Sequence, residues 1–133
     1  MRIKDIRERR VSLADPMANA GISYLQMTAS AVAIEVEADE KGIVTGYGFS
    51  SVGRYAQSGL IAERFAPRLM AKESIEGVNG GLDPVGGWAS MMTDEKPGGD
   101  GDRAGAVGVL DMALWDAAAK IEGIPLWRLL SKR

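Results

Sequence analysis

Few side chains in this sequence can do chemistry, because two residue types are missing from it. Its 133 residues include no histidine and no cysteine. The commonest general base and metal ligand is therefore excluded, along with every Ser-His-Asp arrangement. Disulfides, zinc–thiolate centres, iron–sulfur clusters and thiol nucleophiles are excluded with the cysteines. Catalysis would have to rest on lysine, tyrosine or paired carboxylates.

Four groups come into question. Ser50, Ser51, Arg54 and Tyr55 sit together. Arg54 can clamp a carboxylate in two-pronged fashion while the hydroxyls orient it. The same serines can instead cap a helix and leave Arg54 in solvent. Lys96 precedes Pro97, which holds it extended, at the edge of the glycine-rich stretch 98–101. It reads as a solvated lysine or as one aimed at a ligand. Glu35 and Glu37 fall on one face of a period-2 segment, yet no second cluster completes an oxygen shell for a cation. Asp111 and Asp116, five apart on a helix, point in different directions and make neither a metal pair nor an acid–base pair. Gly46-Tyr47-Gly48 resembles a dinucleotide fingerprint only loosely, since Ser51 stands where the third glycine belongs and no βαβ unit surrounds it. Glycines for tight turns are the plainer reading.

The elements that must position these groups change character near residue 55. Residues 3–13 alternate weakly, with Ile3, Ile6 and Val11 among charges, and 27–38 alternate clearly. Asp39-Glu40-Lys41-Gly42 reads as a turn with Gly42 at positive φ, and 43–49 as the returning strand. Helical spacing follows at 57–70, where Pro67 is expected to kink or end the helix. Asp83-Pro84 reads as the start of another helix, which Gly86 and Gly87 weaken. A long helix is expected over 103–122, capped by Asp102, with Val107, Leu110, Leu114, Ala117 or Ala118, and Ile121 as one apolar stripe and an Asp116–Lys120 pair outside. Gly123 stops it, and 125–130 begins a short helix. Strands before helices predict an α+β fold: a three-stranded antiparallel meander followed by a three- to four-helix bundle.

Sixteen basic and eighteen acidic residues are interspersed, giving a net charge of −2. No basic stripe points to nucleic acid. No apolar run reaches the length of a membrane span, and the charged start MRIKDIRERR lacks the apolar stretch of a signal peptide. A cytoplasmic chain with no membrane partner is the expectation. At this length one domain is expected, and a (β/α)₈ barrel does not fit.

The final third carries a specific resemblance. Residues 108–130, GVLDMALWDAAAKIEGIPLWRLL, resemble the end of the N-terminal capping domain of the enolase superfamily, mandelate racemase/muconate lactonizing enzyme type. The stretch 3–13 is similar to that family's first strand. Residues 46–49, 53–55, 59–66 and 91–99 resemble its D-tartrate dehydratase branch. The likeness extends over residues 1–133 and implies a capping domain that closes over a (β/α)₇β barrel and supplies specificity loops. By the same resemblance, the barrel carries the Mg²⁺ ligands, the lysine base and a histidine–aspartate pair. It would follow Leu130, in cis or in trans. The implied reaction is proton abstraction α to the carboxylate of a small hydroxy acid, followed by loss of hydroxide. This chain is then expected to hold no catalytic residue and no metal ligand, and to be inert alone.

The resemblance also implies substrate contacts. The first specificity loop corresponds to the region holding Asn19 and Tyr24, and the second to Ser50, Ser51, Arg54 and Tyr55. Lys96 corresponds to a lysine able to reach substrate in the tartrate branch. That branch reads Phe-Asn-Ser-Asn-Gly-Arg-Tyr where this chain has FSSVGRY at 49–55, so Ser50 and Val52 replace two amides. Val52 cannot hydrogen-bond a substrate hydroxyl, which changes selectivity. The alternative is a stand-alone structural module that associates through exposed apolar residues such as Trp115, Trp127 and Leu130.

Overall fold

The protein is described by a computed structural model covering residues 1–13, 21, 23–50, 55–98 and 101–132. Three strands, β1 (Arg2–Ser12), β2 (Thr28–Ala38) and β3 (Gly42–Phe49), form an antiparallel sheet in the order β1-β2-β3. A π-helical stretch Leu60–Phe65 runs into α1 (Ala66–Met70), and α2 (Pro84–Met91), α3 (Gly101–Glu122) and α4 (Leu126–Leu130) follow. This is the α+β meander and helical layer expected from the pattern. Among the described residues, no helix is long and apolar enough to cross a membrane.

β2 shows why its alternation was easy to read. Ser30, Val32, Ile34, Val36 and Ala38 face the helices and are buried, while Ala29, Ala31, Ala33 and Glu35 face away. β1 alternates weakly because its register shifts between Ile3 and Asp5. The bulge lets Ile3 and Ile6, an odd number apart, face the same core, opposite Val36 and Ile34. A 3₁₀ turn at Asp39–Lys41 joins β2 to β3, with Gly42 at φ 68° as the turn demands.

The helices meet several expectations and correct others. Pro67 neither ends nor breaks its helix. The irregularity lies before it, as the wide π turn, and α1 continues to Met70 with Pro67 in its first turn, where no backbone N–H is required. Ile61, Phe65 and Leu69 are buried on its inner side. Asp83 precedes α2, but its side chain makes no capping hydrogen bond. α3 starts at Gly101, so Asp102 lies inside the first turn instead of capping it. It still favours the helix there, as an acid near the positive end of the dipole. The expected apolar stripe of α3 is buried throughout, Asp116 and Lys120 pair at 2.6 Å, and Gly123 closes the helix at φ 69°.

α3 lies directly on β3. A Cβ at Gly46 would come within 2.0 Å of the Ala113 carbonyl oxygen, and one at Gly48 within 2.1 Å of the Val109 carbonyl oxygen. The glycines that loosely resembled a nucleotide loop are the surface against which a helix backbone rests. Gly87 has the same role in α2, where a Cβ would come 2.6 Å from a Leu114 methyl. The glycine that weakens α2 by propensity lets it pack closely on α3.

Candidate functional site

The register brings those sequence-predicted residues that the structure describes, Tyr24, Ser50, Tyr55 and Lys96, toward one end of the domain. β1 finishes, β2 starts and β3 finishes on the same side, with Ser12 opposite Thr28 and Ala31 opposite Phe49. The connection between β1 and β2 and the segment after β3 therefore emerge side by side. α3 runs antiparallel to β3 along the sheet, since Gly48 meets Val109 while Gly46 meets Ala113 and Ala117. Its N-terminus, and the 95–98 segment before it, consequently reach the same end.

Hydrogen bonds tie these pieces together. Ser50 is 5% exposed. Its backbone N–H donates to the Ser30 carbonyl at 2.8 Å, and its hydroxyl accepts from the Ser30 N–H at 2.8 Å. The Ser30 hydroxyl accepts from the Gln57 N–H at 3.0 Å, and Thr28 Oγ1 accepts from the Ala56 N–H at 3.1 Å. The chain after β3 is thus anchored at 50 and again at 56–57. Ser50 extends the sheet instead of capping a helix. Tyr55, beside the second anchor, is 60% exposed. On the neighbouring loop, the Tyr24 carbonyl accepts from the Met27 N–H at 2.9 Å, and the Leu13 N–H donates to the Met27 carbonyl at 3.1 Å, which closes the base of that connection. Tyr24 is half-buried. Asn19, Ser51, Val52 and Arg54 lie outside the described residues.

Lys96 is exposed but held from below. Its neighbour Glu95 has a side chain only 1% exposed, gripped by Arg68 at 2.8 Å, Arg64 at 2.9 Å and Arg103 at 3.2 Å. Removal from water pushes the Glu95 carboxyl up, but the arginine hydrogen bonds and charges, Arg68 foremost, outweigh it and hold the group below the usual glutamate range. Arg103 also donates to the Lys96 carbonyl at 3.0 Å. One carboxylate therefore locks the Lys96 backbone to three helical segments and leaves the ammonium to the solvent. Sequence reasoning missed Glu95, Arg103 and Gln57. The arginines lie 31, 27 and 8 residues from Glu95, and no local pattern encodes that convergence. Gln57 packs its side-chain oxygen over Gly105, and that buried oxygen has no hydrogen-bond partner among the described residues.

The other candidates pair within the sheet and helix. Glu35 pairs with Arg7, and Glu37 with Lys4 at 3.5 Å. Asp116 accepts from the Tyr47 N–H, whereas burial pushes the Asp111 carboxyl up against the opposing hydrogen bond from Trp115. No three His, Cys, Asp or Glu side chains converge as a metal site among the described residues.

The family model for the mandelate racemase / muconate lactonizing enzyme N-terminal domain matches residues 4–131. Among solved structures, the chain is similar to a mandelate racemase/muconate lactonizing enzyme-like protein from Rubrobacter xylanophilus, at 20% identity and TM-score 0.64, over 97% of this chain and 33% of that one. It is also similar to a racemase from Streptomyces coelicolor A3(2) with bound magnesium, at 20% identity and TM-score 0.57, over 86% of this chain and 31% of that one. At these identities the likeness is one of fold. The chain spans about a third of the length of the structures it matches.

Proposed function

The chain belongs to the mandelate racemase / muconate lactonizing enzyme family, as its N-terminal domain, and we propose that it works as a specificity cap over a (β/α)₇β barrel supplied in cis or in trans. In this reading the barrel holds Mg²⁺ and the reacting groups, and this chain selects the substrate, a small hydroxy acid that is dehydrated as in the tartrate branch. Asn19, Tyr24, Ser50, Ser51, Arg54, Tyr55 and Lys96 are the proposed contacts. Arg54 and Lys96 would meet carboxylates, the tyrosines would wall the site, and Ser50 would set the course of the second loop from its buried position.

The observation that carries this reading is the convergence of three distant segments, around residues 24, 55 and 96, at one end of the sheet. Each is anchored by backbone hydrogen bonds, and Tyr55 and Lys96 are exposed there. An arrangement of anchored backbone with free polar tips suits ligand selection, because little freedom is lost when the ligand arrives. Amide chemical-shift mapping tests it. Titration with tartrate should move amides around Tyr24, Tyr55 and Lys96, and Lys96→Ala should weaken the response. Shifts confined to 77–83, at the opposite end, or an unchanged response in Lys96→Ala, would overturn the reading.

A further inference from the structure

We infer that Arg103 is a positioning residue for the ligand: it makes no contact with the acid and holds the Lys96 backbone where the acid's carboxylate is met. This rests on the reading of Lys96 as a ligand contact of the cap. Arg103 lies in the first turn of α3, two residues after Gly101. The positive end of the helix dipole disfavours a cation there. Its side chain is also only 15% exposed, so its charge has given up most of its water. Both costs are offset by two acceptors on consecutive residues. Nη1 donates to the Glu95 carboxylate at 3.2 Å and to the Lys96 carbonyl at 3.0 Å.

The three arginines around Glu95 have different reach. Among the described residues, Arg64 and Arg68 bond to residue 95 and neither reaches Lys96. Arg68 gives its other bond to the Met91 carbonyl at 2.5 Å, and Arg64 lies 5.5 Å from the centre of the Phe65 ring. These two tie residue 95 to the end of α2 and to the helical run 60–70. Arg103 ties residue 96 to α3. α3 is fixed in turn, because its backbone rests on Gly46 and Gly48 of β3. Position therefore passes from the sheet to α3, and through Arg103 to Lys96.

The residues just after Lys96 do not supply this hold. Pro97 keeps Lys96 extended but has no N–H through which to be anchored. Gly98 follows at φ 73° and adds no stiffness of its own. On the other side, the Glu95 N–H donates to the Met92 carbonyl at 3.2 Å. With Arg103 in place, the chain is held on both sides of Lys96, and only the side chain remains to be ordered when an acid arrives. Without Arg103 the backbone at 96 must be ordered as well, which costs affinity about three- to tenfold. Glu95 keeps Arg68 and Arg64 in that case, so the buried carboxylate does not lose its charge partners.

Calorimetry with tartrate on the chain and its variants tests the inference. Arg103→Met keeps a long apolar stem and removes the donors. It should weaken tartrate binding about three- to tenfold. Arg64→Met removes the same charge from the same carboxylate. It should change affinity less than about twofold, which separates positioning from general electrostatics and from lost stability. Lys96→Ala combined with Arg103→Met should bind no more weakly than Lys96→Ala alone, because Arg103 acts only through Lys96. Urea denaturation checks that both arginine variants are folded; should Arg103→Met unfold, Arg103→Gln takes its place with the same expectations. Equal affinity in Arg103→Met and the parent, an equal loss in Arg64→Met, or losses that add in the double variant would each overturn the inference and leave the cap reading standing. No tartrate binding by the parent chain, or an unchanged affinity in Lys96→Ala, fails that reading and the inference with it.

Discussion

Replacing Gly46 by alanine tests whether direct contact between a helix and β3 holds the domain together. In a strand this change is ordinarily mild, and reduced freedom of the unfolded chain even favours the alanine by about 0.4–1 kcal/mol. Here the new Cβ would come within 2.0 Å of the Ala113 carbonyl oxygen, 2.7 Å of the Ala117 nitrogen and 2.8 Å of the Ala117 Cβ. All three belong to the α3 backbone or its first side-chain carbon, so no rotamer change relieves the clash. A carbon–oxygen contact relaxes near 3.3 Å, so α3 must retreat by more than about 1 Å. A gap of that size forfeits a quarter to a half of each dispersion contact across it. Ten buried side chains of α3 depend on such contacts. Overpacking costs typically run to about 3 kcal/mol, and setting the entropy gain against them leaves a loss of about 2 kcal/mol. Urea denaturation followed by circular dichroism measures it. Gly108→Ala is the internal control: it lies on the same helix with nothing within 4 Å of its Cβ. It should stabilise by about 0.5–1 kcal/mol through helix propensity. If Gly46→Ala proves as stable as the parent, the close approach of α3 to β3 is wrong, and so is the placement of the α3 N-terminus at the end of the sheet where β3 finishes.

Three further outcomes rest on the same geometry. Ser30→Ala removes the acceptor of the buried Gln57 N–H, and the urea midpoint should drop by an amount equivalent to about 1–3 kcal/mol. Glu95 is held ionised below the usual glutamate range, so the stability it contributes is present above that range and is lost as pH falls through its lowered value. Glu95→Gln should therefore lower the urea midpoint at pH 7, and the gap to the parent protein should close on acidification; a gap that stays constant with pH would remove the arginine cluster from the account. Lys96→Ala should leave thermal stability within about 0.5 kcal/mol, because the side chain is exposed, while calorimetry with hydroxy-dicarboxylates should show weaker binding.

The sequence made the layers of this fold legible and left the convergence of the site unresolved. β2 and α3 were readable because each buries one face and little else disturbs its period. β1 was faint because a bulge puts Ile3 and Ile6 on one side, against strict alternation. The π turn before Pro67 left no mark, since helical spacing at Ile61, Phe65 and Leu69 survives a change in backbone bonding. Gly46 and Gly48 read as glycines for tight turns, whereas they are strand positions against which the α3 backbone packs. At the candidate site, Lys96 and Tyr55 could be named from local chemistry and resemblance. The anchoring of Lys96 could not, because it depends on one buried carboxylate and three arginines from distant segments. Ser50 could be read as a ligand contact or a cap, and only its pairing with Ser30 reveals a strand extension.

The central claim is that this chain selects a substrate without performing the chemistry on it. The most direct test places the purified chain in deuterated buffer with Mg²⁺ and tartrate and tracks the α-proton of the acid by proton NMR. The account predicts that this signal persists at the rate of the protein-free control. Loss of the α-proton, or appearance of a dehydrated keto acid, catalysed by this chain alone would contradict it.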